Sequence, residues 1–355
     1  MGRGGPPIIV TGGAGFIGSS FVRLMVAQGV PVVVLDALTY AGNLANLSEV
    51  KDAPGYTFVH GNIGDAPLVA DLLARHRPRA IVSIAAETHV DRSIDGPAVF
   101  IQTNVVGVST LLETARQYWR NLPAAERDAF RFVQVSTDEV YGSVEQGSSR
   151  EGDPYQPNSP YSASKAAGDH MARAYFRTYG MPTLVTNGAN TYGPRQFPEK
   201  LIPLQILNAL DGRPLPVYGN GNNLRDWLYV DDHCRGIAAV LAEGRPGENY
   251  NIGSGTDDLY ANIQVVHNLC DLLDEMAPKA GMSYLNSIAF VDDRPGHDFR
   301  YALNCGKLMQ DTNWRPLTNF TDGLRATLRW YLDNDAWFRS ATQARYDRQR
   351  LGMST

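Results

Sequence analysis

Residues 137–139 read Thr-Asp-Glu and close an apolar run, FRFVQVST (130–137). Neighbouring side chains on a strand point to opposite faces, so the strand must stop here if both acids serve one substrate. A hydroxyl and two carboxyls in a row suit an acid and a base acting on neighbouring atoms, provided their surroundings separate their pKa values. Further on, YSASK sets Tyr161 and Lys165 at i and i+4, on one face of a helix. An ammonium beside a phenol favours the phenolate and lowers its pKa. That suits a base taking a hydroxyl proton as a hydride leaves the same carbon.

A third pattern supplies a place for the hydride to go. VTGGAGFIG follows the first apolar run, with Gly12, Gly15 and Gly18 spaced GxxGxxG. Such glycines allow a tight turn and let backbone approach a pyrophosphate at a helix N-terminus. The second apolar run ends at Asp36, 18 residues beyond Gly18. A carboxylate there accepts from the adenosine ribose and repels a 2′-phosphate, so NAD is expected over NADP. Singly, these features read as a solvated strand end, a chance Tyr-x-x-x-Lys and an ordinary strand-to-helix turn. Together they point to a hydride-transferring enzyme.

The elements that must position these groups alternate along the first half. Residues 7–12, 30–36, 56–62, 80–86, 130–137 and 182–190 read as strands, mostly near-continuous runs of Val and Ile. Residues 17–29, 97–119 and 161–180 read as helices between them. Buried apolar strands alternating with helices predict an α/β fold with a doubly wound parallel sheet. Past residue 190 the chain becomes rich in Gly, Pro and aromatics, as binding loops are. Residues 1–190 are expected to form a Rossmann domain, with segments near 228–254 and 301–317 returning to it. Residues 191–345 are expected to form mainly a smaller, interleaved substrate-binding domain.

The 355-residue chain is long enough for two such units. Its net charge of −5 argues against a nucleic-acid binder. Three scattered cysteines, Cys234, Cys270 and Cys305, read as free thiols in a reducing cytoplasm. The opening MGRGGPPIIVTGG enters a strand at once and predicts no signal peptide. No apolar run reaches the length of a membrane span. The seven histidines show no metal spacing, so no metal is expected, and His89 reads as structural.

With these residues in view, the chain resembles the extended short-chain dehydrogenase/reductases, and among them the nucleotide-sugar 4,6-dehydratases. The likeness runs from about residue 7 to about residue 317. It is carried by TGGAGFIG, LTYAGN, AAETHVDRSI, STDEVYG, SPYSASKA, YGPRQFPEKLIP, RDWLYVDDH, YNIG and DRPGHDFRY. The TDE triplet is the most specific, because related epimerases and decarboxylases generally lack this acid pair.

The resemblance implies dTDP-glucose as substrate and a definite division of labour. Tyr161 takes the C4 hydroxyl proton, Glu139 the C5 proton, and Asp138 protonates the departing C6 hydroxyl. Thr137 bonds the C4 oxygen. Cofactor contacts implied are Gly12, Gly15, Phe16, Ile17, Gly18, Asp36, Leu38, Thr39, Asn62, Ile63, Ala85, Ala86, Glu87, Thr103, Tyr161, Lys165 and Thr191. Implied substrate contacts are Thr88, Asn190, Lys200, Leu201, Pro216, Val217, Tyr218, Arg225, Asn262, Arg294 and His297. Arg225, Arg294 and His297 would serve the diphosphate, for which arginine is well shaped.

The family also implies a homodimer, paired through helices 97–119 and 161–180. Val105, Val108, Leu112, Met171 and Phe176 are candidates for that face, although burial against the sheet explains some equally well. Thr191, Asn62 and Asn304 stand where the family usually has Asn, Asp and Asp. Competing readings are the same reaction on UDP- or CDP-glucose, an epimerase or decarboxylase, and a silent NAD-binding regulator. The intact Thr137, Asp138, Glu139, Tyr161 and Lys165 argue against the last.

Overall fold

In the computed structural model, residues 5–255, 258–342, 348 and 351–352 are described. The strands are β1 (Ile8–Thr11), β2 (Val32–Asp36), β3 (Tyr56–His60), β4 (Ala80–Ser83), β5 (Arg131–Thr137) and β6 (Thr183–Gly188). After them come β7 (Asn190–Tyr192), β8 (Leu215–Tyr218), β9 (Leu224–Arg225), β10 (Trp227–Tyr229), β11 (Asn249–Ile252), β12 (Tyr260–Ala261) and β13 (Ile288–Val291).

Seven strands form one parallel sheet in the order β11-β6-β5-β4-β1-β2-β3. Alternate residues serve opposite faces, as the pleat requires. Ile8 and Val10 join Phe21, Val34, Val133 and Ile237 in one core, and Ile9 joins Val33, Ile81, Leu111 and Phe132 in another. The strand order reverses between β1 and β4, which opens a crevice at the carboxyl ends of those strands. A third core, with Tyr192, Ile206, Val217, Leu269, Leu324 and Tyr331, holds the pairs β7–β10 and β8–β13 above that crevice.

The predicted helix 97–119 is not uniform. Pro97–Phe100 and Val108–Arg120 are α-helical, but Ile101–Gly107 is a π-helix. The π turn carries Thr103 and the buried Asn104. Asn104 accepts from the Glu87 amide at 2.9 Å and donates to the Glu87 carbonyl at 3.0 Å and to Ser164 Oγ at 2.9 Å. Val108 and Leu112, expected on a dimer face, lie in their own chain's core, because the helix needs that stripe to cover the sheet. Met171 packs against the same core, whereas Val105 and Phe176 stay partly exposed.

Helix Pro160–Tyr179 is bounded as its sequence dictates. Ser159 and Ser162 form a reciprocal capping box, Pro160 occupies the first turn, and Gly180 ends the helix at φ 73°. Among the described residues, no helix is long and apolar enough to cross a membrane.

Candidate active site

A cleft of about 610 Å³ runs along the carboxyl ends of the central strands, within the range of small-molecule sites. Its floor is the glycine turn between β1 and the helix α1 (Phe16–Ala27). Gly12 sits at φ 68°, and a Cβ there would lie 2.7 Å from the Ala85 nitrogen. A Cβ on Gly18 would lie 2.0 Å from the Gly12 carbonyl oxygen. Neither position admits another residue, and the α1 N-terminus is left open to the cleft.

Asp36 ends β2 beside this turn and is buried. Its oxygens accept from the Ala14 amide at 2.8 Å and the Leu38 amide at 2.7 Å. Burial raises its pKa, and those two amides oppose the rise. So Asp36 braces the glycine loop as well as lining the cleft. Leu38 is the exception among the expected cofactor contacts. It adopts φ 50° and packs against the core, outside the cleft lining. Phe16, Ile17, Thr39, Asn62, Ile63, Ala85, Ala86, Glu87, Thr103 and Thr191 all line the cleft.

β5 stops at Thr137, and Asp138–Tyr141 turn into a 3₁₀ helix. The turn breaks the pleat's alternation, so both acids reach the cleft. Thr137 Oγ1 donates to Asp138 Oδ1 at 3.2 Å and accepts from the Glu139 amide at 3.3 Å. Burial, then the charges of Glu139 and Asp226, hold the Asp138 carboxyl well above the usual carboxylate range. Burial raises Glu139 too, but Arg294, Lys200 and Arg225 pull it back toward the carboxylate. Burial and like charge thus favour the protonated form of one acid, while three cations favour the charged form of its neighbour.

Tyr161 departs from the expected lowered pKa. Burial and then the Glu139 charge push its phenol well above the ordinary value, and a hydrogen bond with Thr137 acts the other way. Lys165 is buried and donates to the Val135 carbonyl at 2.7 Å. Its ammonium is anchored to β5, and burial of the phenol sets the direction of the Tyr161 shift.

The opposite wall carries the cations. Lys200 Nζ donates to the Thr88 carbonyl at 2.7 Å. Arg225 is buried, donates to the carbonyls of Leu224, Phe299 and Asp298, and lies over the Tyr301 ring at 4.4 Å. Arg294 pairs with Asp91 at 2.6 Å, and Tyr218 donates to the other Asp91 oxygen at 2.8 Å. His297 is not a cation: burial and then Arg294 lower its pKa to about 4, although Asp293 Oδ1 lies 2.6 Å from its Nδ1. Leu201, Pro216, Val217, Asn262, Thr88 and Asn190 complete this wall. Asn190 Oδ1, Arg294 Nε and Asp138 Oδ2 are buried without a protein partner, as polar groups built to meet a ligand would be.

The departures from the family pattern are accommodated locally. Thr191 Oγ1 bonds His233 Nδ1 at 2.8 Å. Asn62 Oδ1 accepts from the Gly64 amide at 2.8 Å and Asn304 Oδ1 from the Gly306 amide at 3.0 Å, the latter away from the cleft. His89 caps helix Val90–Asp95, accepting from the Arg92 amide at 3.2 Å, and burial lowers its pKa to about 3. Asp91 and Tyr301 line the cleft without having been singled out from the sequence. Arg348 and Leu351 also reach it from the C-terminal segment.

The model of the GDP-mannose 4,6 dehydratase family matches residues 9–327. A dTDP-glucose 4,6-dehydratase of Xanthomonas campestris pv. campestris (strain B100) is 54% identical over 348 residues, 98% of this chain and 99% of that one. One from Neisseria meningitidis is 53% identical, over 97% and 98% of the two chains. A solved dTDP-glucose 4,6-dehydratase from Streptomyces venezuelae, with NAD bound, has a TM-score of 0.86 at 49% identity. It covers 94% of this chain and 99% of that one. A UDP-glucose 4-epimerase from Thermus thermophilus, in complex with NAD, has a TM-score of 0.80 at 31% identity, covering 92% and 99%.

Proposed function

We infer that this chain, which belongs to the GDP-mannose 4,6 dehydratase family, is an NAD-dependent lyase that converts dTDP-glucose to dTDP-4-keto-6-deoxy-glucose. The reaction comprises oxidation at C4, loss of water across C5 and C6, and return of the hydride to C6. The family model is described by another nucleotide, but the relatives at about half identity over the whole chain are named for dTDP-glucose.

The glycine turn fits a dinucleotide, since Gly12 and Gly18 leave backbone where a Cβ would collide. NAD held there supplies a reversible hydride acceptor and, when oxidised, a positive charge. Gly12, Gly15 and Gly18 would present the turn and the α1 N-terminus to its pyrophosphate, with Asp36 beside the ribose. On the opposite wall, Lys200, Arg225 and Arg294 would take the substrate's diphosphate. Asn190, with its bare Oδ1, would receive a sugar hydroxyl.

Within the cleft, Tyr161 removes the C4 hydroxyl proton, with Lys165 fixing the local charge and Thr137 bonding the C4 oxygen. The C4 ketone acidifies C5, whose proton passes to Glu139. Asp138, whose surroundings favour the protonated form, gives its proton to the C6 oxygen, which leaves as water. Glu139 then returns its proton to C5. The observation that carries this reading is the acid pair: two adjacent carboxyls, in environments that drive them apart, face the same cleft as Tyr161. An epimerase has no step that uses them.

We further propose that the chain is a cytoplasmic homodimer and that residues 1–190 chiefly hold NAD while 191–345 chiefly hold the nucleotide sugar. The partly exposed Val105 and Phe176, with the exposed Val106 and Tyr179, offer apolar surface on the two helical segments of the proposed interface. Light scattering at micromolar concentration should give twice the chain mass. The decisive test of function is NMR of the products from dTDP-, UDP- and CDP-glucose. A 4-keto-6-deoxy sugar from dTDP-glucose is expected, and an epimer or unchanged substrate throughout would overturn the reading.

A further inference from the structure

We propose that Thr137 is a proton relay, passing a proton from Tyr161 to Asp138 after each turnover so that both return to their starting states. The inference rests on the dehydratase reading above. It follows from counting protons through that reaction. Tyr161 gains one from the C4 hydroxyl. Asp138 loses one to the C6 oxygen, which departs as water. Glu139 takes one from C5 and gives one back. The cycle therefore ends with Tyr161 one proton over and Asp138 one proton short, while substrate and product account for every other proton. One transfer between the two residues closes the cycle, and solvent need take no part.

The geometry provides that transfer. The Thr137 hydroxyl donates to Asp138 Oδ1 at 3.2 Å and lines the same cleft as Tyr161, where it favours the phenolate. The Glu139 amide, 3.3 Å away, donates to Thr137 Oγ1 and pins that oxygen between them. All three side chains are buried, with relative exposures of 7% for Tyr161, 8% for Thr137 and 3% for Asp138. Bulk water therefore has poor access to either end. In the relay the Tyr161 O–H bond breaks and its proton adds to Thr137 Oγ1. The proton already on Thr137 moves to Asp138 Oδ1. Threonine ends as a neutral hydroxyl, Tyr161 as phenolate and Asp138 as carboxylic acid.

The surroundings of Asp138 favour its reprotonation. Asp138 without its proton sits buried beside Glu139 and Asp226, two like charges. At Tyr161, burial and the Glu139 charge hold the phenol high, and the Thr137 bond favours the phenolate. Burial and like charge raise both groups, and the Thr137 bond is what favours the phenolate at the Tyr161 end.

Rapid-quench kinetics on the NAD-loaded protein with excess dTDP-glucose tests the relay. The readout is the ratio of first-turnover to steady-state rate in wild type, Thr137→Val and Thr137→Ser. Valine keeps the shape but cannot relay, so its first turnover draws on Asp138 as prepared and later ones wait for a slower reset. Its ratio should exceed the wild-type ratio by on the order of 10²-fold, the scale of a lost positioned proton-transfer group. Serine should keep the wild-type ratio. Equal slowing of first and later turnovers in Thr137→Val would overturn the relay and leave Thr137 as a positioning group alone. An indicator dye gives an independent check on wild type, where no transient proton release is expected. Release of one proton per site, followed by uptake, would overturn the relay. Absence of any product from wild type would instead sink the dehydratase reading itself.

Discussion

Lys165 and Val135 are joined by a 2.7 Å hydrogen bond from the buried ammonium to the strand carbonyl. The cation one helical turn past Tyr161 is therefore fixed to β5, two residues before Thr137. Replacing Lys165 with Met removes the charge and the tie together. Turnover should fall by about 10²–10⁴-fold. The acidic limb of the kcat profile should move to higher pH, because the phenolate loses a stabilising cation. Lys165→Arg should rescue poorly, since a planar fork does not fit a site built for one compact ammonium. Steady-state rates across pH check both statements.

The two acids should fail at different steps. Asp138→Asn should stop loss of the C6 hydroxyl but allow oxidation at C4, visible as reduced-cofactor absorbance without product. Glu139→Gln should abolish C5 proton exchange with solvent. Each should cost about 10²–10⁴-fold in turnover. Stopped-flow absorbance and NMR exchange separate the variants, and wild-type rates in both would reduce the pair to a strand end.

Isotopes should report the path of the hydride. Substrate deuterated at C4 should yield product with deuterium in the C6 methyl group. Unlabelled substrate in D₂O should carry solvent deuterium at C5, delivered by Glu139. Mass spectrometry and NMR locate both labels. Deuterium returned to C4 would mark an epimerase.

Asp226 is buried, accepts from the Ser254 amide at 3.1 Å, and is raised by burial to about 6. Between roughly pH 4 and 6 the folded state binds one more proton than the unfolded state. Its contribution to stability is thus full below pH 4 and is lost as pH rises through 6. Asp226→Asn lacks this dependence. Relative to the variant, wild type should lose about 3 kcal/mol between pH 4 and 7, measured by urea unfolding. The variant should also weaken Asp138 as a proton-holding group, because one of the charges raising it is gone.

Much of this site was legible because its signals are local. A strand that ends at Thr137, a helix that aligns Tyr161 with Lys165, and glycines that turn after β1 need only near neighbours in sequence. Long-range partners were not legible. Asp91 carries no local signal of its own, yet it organises Arg294 and Tyr218, which lie 203 and 127 residues away. His297 reads as a phosphate cation until burial beside Arg294 makes it neutral. Val108 and Leu112 read equally as dimer face or core, and only the sheet's position decides. Tyr161 shows the same limit: spacing reveals its lysine, but not the desolvation that opposes it.

The π-helix at Ile101–Gly107 acts as a phase corrector. A regular helix advances about 100° per residue, so an extra residue in one turn rotates everything after it against everything before. Here the π turn itself points Thr103 to the cleft and Asn104 to Glu87, while the trailing part turns Val108, Leu111 and Leu112 to the sheet. Deleting one residue within 101–107 would restore a regular helix and make those two demands incompatible. The chain would keep its core and release the Glu87 loop, or keep the loop and expose Leu112. A one-residue deletion there therefore harms the protein far more than substitution of any exposed residue in the same segment.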